Sequence, residues 1–444
     1  MRIETVLNSV LSNFINKIDR SYLLEQNVFV RNRKLSFKDT VSYILCNEGR
    51  TTSIEAFRFF HDKLEYKDMS ISKQAILKKR GFIDPKLFID MNDMFIEEIY
   101  NSSSELKRFK DYYVMAVDGS IMDIPNTKKS RADFNIKEDT LFEHKTSTIR
   151  LSTMTDTLND FIISSKIENK EMSEIQHALN HLEDAKNKID IEKVITTYDR
   201  GYNSIELILK TEQLNSKYII RGKSNTFRKQ MAKMISNDEN ITHNIKSSQI
   251  NHIQDSNLKE YAIKQKEVNI RVVKIKLDNG TEEILFTNLT KKEATPQELK
   301  ELYHTRWKIE TNYDRLKNKL NIENFSGHRR ILIEQDLYST ITLFNILITL
   351  KKISEPQIQR KTRYNNKNKY KPYQINITQT YGLLKQKIHH LLTSPQQTVE
   401  QIIETILKTI IKNPIYTLKN PPTNQERKTT TTQHKFQYNQ RRPC

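Results

Sequence analysis

YYVMAVDG (112–119), HKTSTIRLSTMTD (144–156) and FIISSKIE (161–168) are three runs rich in β-branched and aromatic residues. They predict three consecutive strands. Residues 171–189 have helical spacing, KVITTYD (193–199) predicts a fourth strand, 204–211 a second helix and KYIIRG (217–222) a fifth strand. The order βββαβαβ implies an α/β fold with a mixed sheet. Two of the runs end on an acid, Asp118 before Gly119-Ser120 and Asp199 before Arg200-Gly201-Tyr202. A carboxylate at the end of a buried strand is costly unless it has a partner such as a cation.

Outward from this stretch, the 444 residues are enough for two to four domains. Residues 1–105 read as a helical domain. Thr52 with Glu55 forms a capping box, Ser72 caps KQAILKKR before Gly81, and Asp84-Pro85 opens a further helix. The short helix ending in Lys78, Lys79 and Arg80 is a candidate second helix of a DNA-binding helix-turn-helix. Residues 106–223 form the first part of the α/β core, and 224–294 read as a β-rich insertion of antiparallel strands turned by Asn279-Gly280. Thr295-Pro296-Gln297-Glu298 combines a capping box with Pro at the first helical position. It starts a helix expected to reach Leu320 or beyond, within a helical part of the core spanning 295–350. A basic helical region, with helices near 381–392 and 399–412, is expected over 351–415. The tail, 416–444, has Pro421-Pro422, a run of Thr and Arg441-Arg442, and is expected to be disordered.

The formal charge of +19 calls for a polyanionic partner, nucleic acid before a membrane surface. From Lys351 onward there are 18 Lys plus Arg against 4 acids, so most of the excess is C-terminal. A basic tail that is merely solvated is the alternative. Two cysteines, Cys46 and Cys444, can build neither a disulfide framework nor a cysteine zinc site, which suits a reducing cytoplasm. The N-terminus lacks the pattern of a secretory signal. The most apolar stretch, 331–350, contains Glu334, Gln335 and Asp336 and predicts a buried or amphipathic helix instead of a membrane span.

The strongest chemical signal lies in YHTRWKIETNYDRLKNKL (303–320). At about 100° per residue, Tyr303, Arg306, Glu310 and Lys317 fall within roughly 60° of one another on a helix. Leu302, Ile309, Tyr313, Leu316 and Leu320 form a neighbouring apolar stripe, so the polar row borders the buried face. Taken alone, Arg306 and Glu310 could be an ordinary exposed i,i+4 ion pair. Glu310 together with Asp118 and Asp199 makes a carboxylate set that a metal ion would complete. Asp123 and Asp156, also near strand ends, are read as structural or solvated, and Asp314 as paired with Lys317 or Arg315. Trp307 is read as core, and His389-His390 as lacking the further ligands of a zinc site.

Asp118-Gly119-Ser120, Asp199-Arg200-Gly201-Tyr202 and the Tyr-x2-Arg-x3-Glu-x6-Lys string resemble, in order and internal spacing, the three signature blocks of the insertion-sequence-four family of bacterial DDE transposases. The resemblance spans roughly residues 111–327 and implies an RNase H-like catalytic core. In it Asp118, Asp199 and Glu310 would bind two divalent ions, Mg²⁺ or Mn²⁺, while Tyr303, Arg306 and Lys317 hold DNA phosphates. It further implies cleavage and strand transfer at terminal inverted repeats of double-stranded DNA, a hairpin intermediate, a homodimeric synaptic complex and a place at the bacterial nucleoid in the cytoplasm. The alternatives are an RNase H-like nuclease without strand transfer and an inactive DNA-binding relic.

Overall fold

The computed structural model describes residues 1–30, 35–64, 71–136, 147–277, 280–365 and 373–416. The chain divides into two compact units. One is formed by Leu106–Ile121 with Arg150–Tyr313, the other by the described residues of Met1–Glu105, Met122–Ile149 and Asp314–Cys444.

The first unit is built on an eight-stranded sheet. Its strands are β1 (Tyr113–Ile124), β2 (Ser147–Asp156), β3 (Ile162–Asn169), β4 (Val194–Tyr198), β5 (Lys217–Arg221), β6 (Asp238–Asn244), β7 (Glu267–Lys276) and β8 (Glu282–Thr287), in the order β3-β2-β1-β4-β5-β8-β7-β6. β1, β4 and β5 run parallel, whereas β8 returns antiparallel against β5 and continues into β7 and β6. Every residue of β4 is buried, as expected for a central parallel strand covered on both faces. The βββαβαβ order read from the sequence is present, with helices at Glu174–Lys186 and Ile205–Gln213 between the later strands. Asp156 has the structural place expected of it. It is fully buried and accepts hydrogen bonds from the backbone of Leu158 (2.9 Å) and Asn159 (3.0 Å), which closes the β2–β3 turn.

One expectation for this unit needs correction and another is refined. The β-rich stretch after residue 224 is not a separate insertion of strands alone, because β8 and β7 extend the same sheet and helices at Ser247–His252 and Ser256–Gln265 separate β6 from β7. Periodicity does not show this, because antiparallel strands read alike whether they start a new sheet or extend an old one. Asn279 lies outside the described residues, but Gly280, at φ +81°, adopts the left-handed conformation such a turn requires. The helix starting at Thr295 reaches Lys319, next to the expected Leu320, but its pitch changes along the way. It runs as Pro296–His304, a 3₁₀ turn at Thr305–Trp307, Lys308–Asp314 and a π-turn at Arg315–Lys319. Its start matches the sequence, since the Thr295 hydroxyl accepts from the Glu298 backbone and Glu298 closes the capping box.

In the second unit, helices at Ile3–Lys17, Phe37–Cys46, Lys86–Ser102, Ile377–Thr393 and Gln396–Lys412 pack with a long helix, Arg330–Asn365. That helix is long and apolar enough to cross a membrane, yet 89% of its most apolar window is buried within the protein. The N-terminal helices and those of the basic C-terminal region, read apart in the sequence, lie together here. The tail from 417 onward lies outside the described residues.

Two of the three cations behind the helix-turn-helix expectation are engaged within the protein. Arg80 is completely buried. It pairs with Asp336 at 2.8 Å and donates to Gln335 at 3.0 Å, while Ser326 binds the same Asp336. Lys79 donates to the Leu35 carbonyl and lies over the Phe29 ring. Of the three basic residues only Lys78 faces solvent. Ser72 does cap this helix, but the preceding one starts from Thr51, and Glu55 accepts instead from the backbones of Glu48 and Arg50.

Candidate active site

Sheet register brings the first two carboxylates level. β1 and β4 pair in parallel from Tyr113↔Val194 to Ala116↔Thr197. Carrying that register on by two residues sets Asp118 beside Asp199, on strands about 4.8 Å apart. β1 itself runs on to Ile124, so Asp118 is not at a strand end. It stands where the pairing with β4 stops. Because side chains alternate, Asp118 continues the row of Val114 and Ala116, and Asp199 that of Ile195 and Thr197. Val114 and Ile195 pack against Leu299, Leu302 and Tyr303. The two acids therefore sit on the face covered by the helix that leads to Arg306 and Glu310.

Arg306 joins the set. Its Nη1 lies 3.7 Å from Asp118 Oδ2 and its Nη2 3.7 Å from Glu310 Oε1, so one guanidinium spans both carboxylates. The Asp118 side chain is 25% exposed, Arg306 10% and Glu310 46%. Tyr303, expected beside the phosphate-binding groups, belongs to the core at 2% exposure, and its ring packs against the Arg306 guanidinium at 5.8 Å. Trp307 reverses its expectation. It is 59% exposed, with Arg306 also 5.8 Å from its ring. At about 100° per residue Trp307 falls on the side of the helix away from the apolar stripe, so its exposure follows the helical register. Lys317 belongs to the helical unit, where it pairs with Glu323 at 3.8 Å. There Asp314 accepts from Asn318 at 2.7 Å. His389 is buried against Phe59, with no metal-holding cluster among the described residues.

Burial pushes the Asp118 carboxyl up to about 6. The Gly119 N–H and the Arg306 guanidinium pull it down, and the negative charges of Asp199 and Glu174 raise it further. Glu174 is an addition that sequence reasoning missed. It opens the Glu174–Lys186 helix and pairs with Arg150 at 3.4 Å. Gly201 shows how tightly these groups meet, because a Cβ there would stand 2.9 Å from Asp199 Oδ1 and 3.4 Å from Glu174 Oε2. Asp199 is itself held by the Gly201 N–H at 2.6 Å. An acid in the first turn of an amphipathic helix is so common that Glu174 carries no sequence signal of its own.

Among the described residues no three His, Cys, Asp or Glu side chains are gathered closely enough to hold one metal ion. The donor chemistry nonetheless fits a divalent cation. Asp118 is a half-buried carboxylate beside two further negative charges, and the positive charge lying between it and Glu310 is the Arg306 guanidinium. Hard oxygen donors with excess negative charge are what Mg²⁺ and Mn²⁺ take.

The structure of the piggyBac transposase synaptic complex with hairpin DNA aligns with this one at a TM-score of 0.41 and 12% identity, over 93% of this chain and 83% of that one. No curated protein matches the chain. The family model described as the transposase DDE domain matches residues 109–346, more than half of the sequence and a span that includes Asp118, Asp199 and Glu310, so the chain belongs to the transposase DDE-domain family.

Proposed function

We propose that this chain is the transposase of an insertion sequence, binding the terminal inverted repeats of its element and catalysing divalent-metal-dependent cleavage and strand transfer of the DNA ends. The observation that carries this reading is the level placement of Asp118 and Asp199 on adjacent parallel strands, with Arg306 between Asp118 and Glu310, inside a transposase DDE-domain chain. The mixed sheet in βββαβαβ order supports an RNase H-like core.

Asp118, Asp199 and Glu310 are the proposed ligands of two Mg²⁺ or Mn²⁺ ions. Such ions, when bound, activate the attacking water or 3′-hydroxyl and stabilise the leaving oxygen of an in-line phosphoryl transfer. The chain's own part is positioning and charge. Asp118 and Asp199 offer oxygens from a rigid sheet, and Glu310 offers them from a helix docked on it. Arg306 is suited to grip a DNA phosphate with its planar fork once it leaves the carboxylates, and Lys317 to add a point charge. Tyr303, buried with its ring 5.8 Å from the guanidinium, is suited to brace Arg306 for that contact. A homodimer holding two ends, in the bacterial cytoplasm, completes the reading.

The test is strand transfer. The full-length protein, a precut DNA end carrying the element's inverted repeat, a target plasmid and Mg²⁺ should yield joined product. Cutting without joining would identify a nuclease. Tight, salt-sensitive binding with neither reaction would identify an inactive relic.

A further inference from the structure

The Tyr313 hydroxyl lies 2.8 Å from the carbonyl oxygen of Asp118 and 3.1 Å from that of Leu151, and it accepts from the Thr153 hydroxyl at 3.1 Å. Its single proton is shared between two main-chain acceptors, one on β1 and one on β2. Tyr313 stands one helical turn after Glu310 in the same segment, Lys308–Asp314, and is 7% exposed. Other bonds also dock this region. Thr305 pairs with Thr157 at 2.8 Å, and Asn312 donates to the Asp160 carbonyl at 3.1 Å. Both of these reach the turn between β2 and β3, far along the strand from the acids. The Tyr313 bond, in contrast, reaches the main chain of Asp118 itself.

We propose that Tyr313 is a positioning residue, whose hydroxyl sets how deeply the Glu310-bearing helix seats against the strand that carries Asp118. The inference rests on the function proposed above, because depth matters only if the two carboxylates must act together. A phenol is suited to the role. It is rigid, and burial holds its proton on well above the ordinary range, so it remains a donor at every working pH. Its oxygen meets a carbonyl, which moves with the Asp118 backbone, and leaves the carboxylate free. A misplacement of about 1 Å in a catalytic constellation can cost on the order of 100-fold in rate, so one hydroxyl on this seam has leverage.

Tyr313→Phe removes the hydroxyl and keeps the ring. In the full-length protein we expect Mn²⁺ binding to the DNA-free protein, measured by calorimetry, to weaken about tenfold. Single-turnover cleavage at saturating DNA should slow by at least about tenfold, with unchanged affinity for the DNA end. Asn312→Ala loses the bond to the Asp160 carbonyl and serves as the structural control. It should lower Tm without moving Mn²⁺ affinity. Wild-type Mn²⁺ affinity and cleavage in Tyr313→Phe would overturn the inference, as would equal losses in the two variants, which would mean helix docking in general. If the wild type itself neither binds Mn²⁺ nor cleaves, the proposed function falls, and this inference with it.

Discussion

At the scale of single residues, the site is a contest over the Asp118 proton. Burial and the charges of Asp199 and Glu174 raise its pKa to about 6 against the pull of Gly119 and Arg306. A raised acid is protonated below that value, so cation binding must displace a proton there and none well above it. Mn²⁺ affinity of the DNA-free protein should therefore be steady above neutrality and fall as the pH drops through about 6, which calorimetry at several pH values would show. A flat profile between about pH 5 and 8 would remove Asp118 from the ligand set. Asp118 and Asp199 stood out in the sequence because each closes an apolar run just before a glycine-containing turn, where a carboxylate without a partner is costly. Arg150, Glu174 and Tyr313 were not. Arg and Glu on amphipathic stretches look like solvated faces, and Tyr313 sits on an apolar stripe that packing alone explains.

At the scale of elements, two polar clusters in the sheet unit govern how it responds to mutation and acid. Arg271 on β7 is 3% exposed, grips Asp238 on β6 at 2.7 and 2.9 Å, and also donates to the Leu289 and Ala294 carbonyls. Asp238→Ala leaves a buried guanidinium without its counter-charge and should cost about 3 kcal/mol, read from urea unfolding. A loss below about 0.5 kcal/mol would mean the pair behaves as a surface bridge. His181, bonded to Ser152 at 2.9 Å and Ser164 at 2.8 Å, ties the Glu174–Lys186 helix to β2 and β3, and burial lowers its pKa to about 3. An unfolded histidine titrates near 6.5, so below that pH the unfolded chain takes up a proton the folded one refuses. This stability is complete above about 6.5 and is lost as the pH falls from there towards 3. His181→Asn should flatten that part of the stability profile, measured by denaturant titration at successive pH values. Strands and helix starts here were visible from alternation and capping residues. The changes of pitch at Thr305–Trp307 and Arg315–Lys319 were not, because no Pro or Gly marks them and the apolar stripe continues through both.

At the scale of the whole molecule, the two compact units interleave along the sequence, with 122–149 and 314 onward joining the N-terminal helices. Sequence composition shows segments in order but not which distant helices share a core, so this partition was not legible. The charge asymmetry was. Within 417–444 there are Lys419, Arg427, Lys428, Lys435, Arg441 and Arg442 against Glu426. Deleting those residues should weaken DNA binding and make it less salt-dependent, with the slope of log K against log salt reduced by up to about 0.9 for each DNA phosphate they had neutralised. An unchanged slope would assign DNA binding to the rest of the chain. The proposed metal-dependent chemistry of Glu310, with Asp118 and Asp199, on a DNA end is a narrower property than DNA affinity. The most direct test replaces Glu310 by Gln and measures Mg²⁺-dependent end cleavage and DNA binding separately. Cleavage should be lost while binding persists; cleavage retained at the wild-type rate would contradict the assignment.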